Sequence, residues 1–215
     1  MTIWFPMAFI TFEGIDGSGK SSLLKNFDLH LKNLGFAVEM TREPGGSELG
    51  RELRTILLKN SKTPPCAEAE LLLYEADRAQ HVATLIKPWL EKKTWVLSDR
   101  FMDSSLAFQG AGRKIPFEKV RWLNEFATQG LLPTLTVIVD CPIEVSMARR
   151  AKRESEASTK PDRFENEVAP FHQAVRDEYL KMAKTHSRFY VLDGTKSQST
   201  MLEDLIQECQ RRKIL

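Results

Sequence analysis

Gly14-Ile15-Asp16-Gly17-Ser18-Gly19-Lys20-Ser21 matches the spacing G-x-x-x-x-G-K-[ST]. Glycines let a backbone fold around phosphate oxygens with its N–H groups pointing inward. Lys20 supplies a mobile cation for β- and γ-phosphates, and the Ser21 hydroxyl is suited to Mg²⁺. The helix that opens at Ser21 and Ser22 aims its positive end at the same oxygens. The motif follows a predicted strand and opens a predicted helix, the context it requires. It marks binding of a nucleoside triphosphate and leaves the reaction open.

A second set of residues suits a second anion. Arg42 follows a predicted strand in Thr41-Arg42-Glu43-Pro44-Gly45-Gly46, Arg78 lies in Glu75-Ala76-Asp77-Arg78, and Arg100 follows another strand in Ser98-Asp99-Arg100-Phe101. Guanidinium groups match phosphate bidentately, although any one arginine alone reads equally as solvated surface charge. Asp99 ends an apolar strand in the manner of a magnesium-organising acid. Asp140 ends Val137-Ile138-Val139 in the same way. Pattern alone leaves both open, and adjacency to Arg100 favours Asp99. A nucleoside monophosphate acceptor suits such a site. Its phosphate, with a second pKa near ~6, is already mostly a dianion at neutral pH and needs no strong base. The harder problem is to bring two polyanions together, which calls for Mg²⁺, Lys and several Arg.

Strand-length apolar runs position these groups: Phe9–Phe12, Ala37–Met40, Trp95–Leu97, Leu135–Val139 and Phe189–Leu192. Nearly continuous apolar strands suit burial on both faces, as in a parallel sheet. Helical patterns lie between them: Ser21–Leu34, Leu49–Leu58, Glu68–Leu90 with a bend or end at Pro88, Phe117–Thr128, Ile143–Arg153, Ala169–Lys184 and Thr200–Arg212. The alternation predicts a doubly wound, five-stranded parallel α/β sheet with helices on both faces and its ligands at the C-terminal strand ends. Polar, charged residues 151–162 read as an exposed loop or flexible lid within a single domain spanning 7–215. Residues 1–6 are left as an N-terminal extension, either an extended start or an expression remnant.

Composition narrows the classes further. The chain has 215 residues, enough for one full core. Its formal net charge of +2 argues against a general nucleic-acid coat protein. Cys66, Cys141 and Cys209 are odd in number and form no C-x-x-C pair, which favours a reducing cytoplasm over a disulfide framework. His30, His81, His172 and His186 lack zinc-site spacing. No run approaches the ~18 apolar residues of a membrane span, and the start lacks the cation and cleavage site of a signal peptide.

In this order, Phe12-Glu13 with the glycine-rich loop, Arg42-Glu43-Pro44-Gly45-Gly46, Asp77-Arg78, Asp99-Arg100-Phe101 through Ser104-Ser105-Leu106-Ala107-Phe108-Gln109-Gly110, and Asp162-Arg163-Phe164-Glu165 resemble the bacterial thymidylate kinase family over nearly the whole chain. The resemblance implies the P-loop nucleotide kinase fold and ATP-dependent phosphorylation of dTMP to dTDP, with Mg²⁺ held by Ser21 and Asp99. It implies ATP contacts along Gly14, Ile15, Asp16, Gly17, Ser18, Gly19, Lys20, Ser21 and Ser22. Arg100 then grips the dTMP phosphate with help from Arg42, and Arg78 bonds the thymine ring. Tyr74 stacks on the base, with Ser105 and Gln109 at its edge. Phe108 lies near the sugar where relatives often carry Tyr, and Asp16 faces the acceptor sugar or the metal.

The resemblance also implies a subtype. Some relatives carry Arg at the third variable position of the loop, where this chain has Gly17; others place the catalytic cation in the lid. Among Arg149, Arg150, Arg153, Lys160 and Arg163, the pattern selects Arg153 for the transition state and Arg149 for packing on adenine. Asp193-Gly194-Thr195 resembles the adenine-side loop. A homodimer is expected from the family alone. The competing readings are another nucleoside or nucleotide kinase of the same superfamily, and a nucleotide-sensing protein without turnover.

Overall fold

The computed structural model describes residues 8–157 and 161–215. The extension read at residues 1–6, and Lys160 of the predicted lid, lie outside the described residues. Five parallel strands, β1 (Phe9–Glu13), β2 (Val38–Arg42), β3 (Trp95–Asp99), β4 (Leu135–Asp140) and β5 (Phe189–Asp193), form one sheet in the order β2-β3-β1-β4-β5. The doubly wound α/β sheet expected from the sequence is present.

Alternation along the strands sends side chains to two different layers. Ile10 and Phe12 of β1, Trp95 and Leu97 of β3, and Leu135, Val137 and Val139 of β4 face one side. There they pack on Leu23, Phe27 and Leu31 of α1 (Lys20–Asn33) and on Met201, Leu205 and Cys209 of α9 (Gln198–Arg211). Phe9 and Val96 face the other side, against Phe101, Val82 and Ile86, while Ile138 packs with Val175 and Tyr179 of α8 (Ala169–Ala183). The second face also carries Thr11, Glu13, Ser98 and Thr136, all fully buried. The strands therefore look apolar in sequence while hiding a polar seam under α8. Thr11 and Thr136 hydroxyls meet at 3.0 Å, and Arg188 forks onto buried Asp103 beside them.

α2 (Glu48–Leu58) begins at Ser47, whose hydroxyl accepts the Gly50 N–H, a standard N-cap. The helix expected over Glu68–Leu90 is divided. α3 (Ala67–His81) passes into a wide turn at Val82–Ile86, where the Lys87 N–H reaches back to Val82 O, and α4 (Lys87–Glu91) follows. That turn lies directly before Pro88, which has no N–H to continue the ladder.

Two local features go beyond the sequence pattern. α5 (Met102–Ser105) and a π-helical run at Leu106–Gly112 form a helical segment ahead of α6 (Phe117–Thr128) that hydrophobic periodicity did not delimit. Residues 151–157 of the predicted loop are helical instead, because α7 (Ile143–Ala157) continues through them. Ala, Arg, Lys and Glu are strong helix formers even without an apolar stripe, and a Lys152–Glu156 pair at one-turn spacing adds to this.

Candidate active site

The glycine-rich loop joins β1 to α1 at the C-terminal edge of the sheet. Gly14 has φ +135°, and a Cβ there would lie 2.5 Å from Val139 O. Gly17 has φ +85°, and a Cβ would lie 2.5 Å from Ser146 O. Both positions demand the left-handed conformation and closeness that only glycine supplies. Close backbone on α7 therefore leaves no room for any side chain at the third variable position.

Asp16 sits where two cations meet. Its Oδ1 accepts from Lys20 Nζ at 3.2 Å and from Arg100 Nη2 at 2.9 Å. Burial opposes its charge, yet Arg100 and Lys20 together hold the carboxyl well below the usual carboxylate range. Asp99, at the tip of β3, accepts from Ser21 Oγ at 2.5 Å and lies 3.7 Å from Lys20 Nζ.

Strand parity separates the two candidate acids. Asp99 shares the face of Trp95 and Leu97, which α1 covers, and so meets the start of that helix. Asp140 shares the face of Ile138, which α8 covers, and is gripped there by Arg176 at 2.6 and 2.9 Å.

Arg100 holds a left-handed backbone, φ +74°, which costs a non-glycine residue roughly 1–2 kcal/mol. The surrounding bonds fix it. Its N–H donates to Phe12 O at 3.0 Å, its carbonyl accepts from Ser98 Oγ at 2.7 Å, and the next N–H, of Phe101, donates to Glu13 Oε1 at 2.7 Å. Glu13 also accepts from Ser104 Oγ and Tyr179 OH at 2.6 and 2.7 Å. Burial, then the nearby Asp103, push its carboxyl up to about 7. The Arg100 guanidinium lies over the Phe108 ring, 4.7 Å from its centre.

The Arg42-to-Gly46 loop is fastened to α3. Gly45 N–H donates to Asp77 Oδ1 at 3.1 Å, and Glu43 takes Arg78 Nε at 2.8 Å and pairs with His81 Nδ1 at 3.0 Å. Thr41 Oγ1 meets His81 Nε2 at 2.6 Å. Burial, then Glu43, raise Asp77 to about 6. The two motifs far apart in sequence are thus one bonded unit.

Three openings surround these groups. A cleft of about 430 Å³ lies over the glycine-rich loop, bordered by Lys20, Ser21, Ser22, Arg149, Arg153 and Gln198. On the other side of Asp16 lies a cavity of about 70 Å³ walled by Arg54, Tyr74, Arg100, Phe108, Gln109 and Phe164. That is well below the roughly 300–1,000 Å³ of ordinary ligand pockets, so a nucleotide entering it must displace part of the wall. The third, about 390 Å³, lies between β2 and α1 beside Ser21, Lys25, Arg42 and Asp99. Among the described residues no cluster of three or more His, Cys, Asp or Glu forms a metal cage. A hydroxyl and one carboxylate at the loop instead fit a small hard cation that takes most of its ligands from phosphate and water.

A triphosphate cleft and an anion cavity sharing one aspartate fit a nucleotide kinase, and comparison with known proteins gives the family. Residues 12–205 match the family model described as thymidylate kinase. The chain belongs to the thymidylate kinase family. It is 46% identical to the thymidylate kinase of Geotalea daltonii over 189 residues, covering 86% of this chain and 88% of the relative. It is 43% identical over 210 residues to that of Bdellovibrio bacteriovorus, covering 97% and 98%. With that of Nitratidesulfovibrio vulgaris the figures are 46% over 202 residues, 93% and 94%.

Against the family resemblance, the structure gathers Asp16, Tyr74, Arg100, Phe108 and Gln109 around one cavity. Arg42 borders the opening beside Asp99 instead. Arg78 and Ser105 do not line the cavity. Arg78 is 1% exposed and spends its donors on Glu43, Glu75, Ser105, Asn124 and the Phe101 carbonyl. It is therefore not the solvated surface charge that a lone arginine suggests. Arg149 donates to Gly194 O at 2.8 Å, tying the cleft to the loop after β5. Arg153 borders the cleft and pairs with Glu165.

Sequence reasoning missed Arg54 and Glu13. Burial, then the Arg42 charge, hold Arg54 below the ordinary arginine range, and Arg100 adds to this. Arg54 and Arg100 face the same cavity, and two guanidiniums there form a place for an anion. Arg54 gave no signal because its α2 neighbours are ordinary helix-surface residues. Glu13 could have been noticed as an acid ending a buried strand.

Proposed function

We propose that the protein transfers the γ-phosphoryl group of ATP to the phosphate of dTMP, giving dTDP for dTTP synthesis. The observation that carries this reading is the single Asp16 oxygen bonded to both Lys20 and Arg100. It sets the donor cradle and the acceptor cavity edge to edge.

ATP lies on the loop from Gly14 to Ser22, with Lys20 on its β- and γ-phosphates and Arg149 against adenine. dTMP lies in the cavity, its phosphate on Arg100 and Arg54, with Arg42 approaching from the neighbouring opening. Its base lies against Tyr74 and Gln109, its sugar near Phe108, and Arg78 and Ser105 complete the wall from behind. Ser21 and Asp99 would hold Mg²⁺, which supplies charge neutralisation at the β- and γ-phosphates when bound. No side chain needs to remove a proton, because the acceptor phosphate is already anionic. The work of the chain is to offset charge and align the two nucleotides, with Arg153 reaching the transferring group from α7.

Homodimerisation and a cytoplasmic location are part of the proposal. Trp122 and Phe126 on α6 are 65% and 72% exposed with rings stacked 5.9 Å apart, an apolar face suited to a second copy of the chain. Cys66, Cys141 and Cys209 are all free, which suits a reducing compartment. Among the described residues no helix is long and apolar enough to cross a membrane.

Purified protein with ATP, Mg²⁺ and a panel of nucleoside monophosphates, with thymidine alongside, tests the reading through ADP release. Preference for dTMP is the expected result. Preference for thymidine would favour a nucleoside kinase, and ATP binding without acceptor-dependent ADP release would favour a sensor.

A further inference from the structure

Glu70 lies on α3 one turn before Tyr74 and is fully buried. A buried carboxylate is retained only where donors satisfy it. Glu70 takes Gln109 Nε2 at 2.8 Å, Arg113 Nε at 3.2 Å, Arg113 Nη2 at 3.2 Å and Arg163 Nη1 at 2.8 Å. These donors come from two segments distant in sequence, Gln109 and Arg113 from the run after α5 and Arg163 from the run after α7. Gln109 lines the cavity itself. Arg163 belongs to the segment after the lid, whose neighbours Asp162 and Phe164 close the cavity. Phe164 packs edge-on against Tyr74 and Phe108, with Arg163 and Arg113 over its ring. Arg113 extends the tie to Glu167 at 2.6 Å.

The bond to Gln109 has a chemical consequence. A carboxylate only accepts, so the side of the Gln109 amide facing Glu70 must be its NH₂. Its carbonyl Oε1, for which no donor is found among the described residues, is then the end left for a ligand. A carbonyl accepts the N3–H of an imide base such as thymine. It repels the bare N3 lone pair of cytosine. An amide free to turn over would present NH₂ instead and lose that distinction.

We propose that Glu70 is a positioning residue for the acceptor base. It fixes the Gln109 amide with its carbonyl toward the cavity, and its ion pairs with Arg163 and Arg113 hold the Glu70 carboxylate in register for that bond. Glu70 touches neither nucleotide and acts through these partners. The inference rests on the cavity being the dTMP site.

The test is a double-mutant cycle between Glu70→Gln and Gln109→Ala, read as kcat and KM for dTMP, dCMP and ATP. Wild-type turnover of dTMP comes first, because its absence would remove the substrate reading and not the role of Glu70 alone. With that in hand, Glu70→Gln should raise KM for dTMP about tenfold or more, the scale of a lost charge-assisted hydrogen bond. It should lower the dTMP-to-dCMP preference in kcat/KM while leaving KM for ATP within about threefold. In the Gln109→Ala background the same change should no longer alter that preference. An unchanged KM for dTMP, a parallel loss toward dTMP and ATP, or an equal loss of preference in both backgrounds would each overturn the proposal. Melting curves monitor the fold. If Glu70→Gln does not fold, Glu70→Asp replaces it in the cycle. Asp keeps the charge for Arg113 and Arg163 but is one methylene short of Gln109, so an unchanged base preference there would overturn the proposal equally.

Discussion

Ser21 Oγ donates to Asp99 Oδ2 at 2.5 Å, joining the first turn of α1 to the last residue of β3. The partners are 78 residues apart in sequence. Their meeting depends on β3 being the neighbour of β1 and on Asp99 sharing the strand face that α1 covers.

That relationship separates Asp99 from Asp140. Asp99→Asn should raise the Mg²⁺ concentration for half-maximal activity by about 10–100-fold, as loss of a metal-organising group does. Asp140→Asn should leave it unchanged, since Asp140 is paired with Arg176 on the other face. Titration of activity with Mg²⁺ for both variants checks this; equal effects would contradict it.

Lys20 donates to Asp16 beside the cleft and carries no apolar packing role in the core clusters. Lys20→Ala should lower kcat by about a hundredfold or more while leaving the melting temperature close to wild type. Steady-state kinetics with a thermal melt reads both quantities, and wild-type kcat would refute the cradle.

Arg54 donates to Pro44 O at 2.9 Å and otherwise faces the cavity with Arg100. Arg54→Ala should raise KM for dTMP by about tenfold to a hundredfold, the value of a charge-assisted bond to phosphate, with KM for ATP unchanged. Initial rates with each substrate varied decide it. A change confined to ATP would mean that donor and acceptor sites have been exchanged.

Glu13 gives a pH signature. Its carboxyl is raised from an unfolded value near 4.5 to about 7, burial being the largest cause. The folded state therefore holds the proton more tightly than the unfolded chain. This contribution is full below about pH 4.5 and is lost as pH rises through about 7, a change of about 3 kcal/mol. Glu13→Gln cannot titrate, so the stability difference between wild type and variant should move by that order across the window, against wild type at higher pH. Urea unfolding at a series of pH values measures it; parallel profiles would count against the assignment.

Trp122→Glu together with Phe126→Glu should turn a dimer into a monomer in sedimentation velocity if α6 meets a second copy. A wild-type monomer, or a dimer that survives both charges, would remove that part of the proposal.

The strands and the glycine-rich loop were legible because their signals are local: apolar runs of strand length and a fixed spacing of Gly, Lys and Ser. The ends of α7 and α3 were not. At 151–157 a polar helix has no apolar stripe to read, and before Pro88 the chain solves a missing N–H by widening a turn. Asp99 and Asp140 look alike in sequence because strand parity is visible there but the helix covering each face is not. The depth of Arg78 is invisible in the sequence, since Glu43, Glu75, Ser105 and Asn124 converge on it only after folding. Arg54 and Glu70 carry no motif of their own and acquire meaning from neighbours distant in the chain.

A crystal of the protein grown with dTMP and a non-hydrolysable ATP analogue tests the central arrangement most directly. The triphosphate should lie on Gly14 to Ser22, and the dTMP phosphate should lie within hydrogen-bond reach of Arg100, its base against Tyr74 and Gln109. Thymidylate bound elsewhere, with the Arg100 cavity still closed by Phe164, would contradict the account.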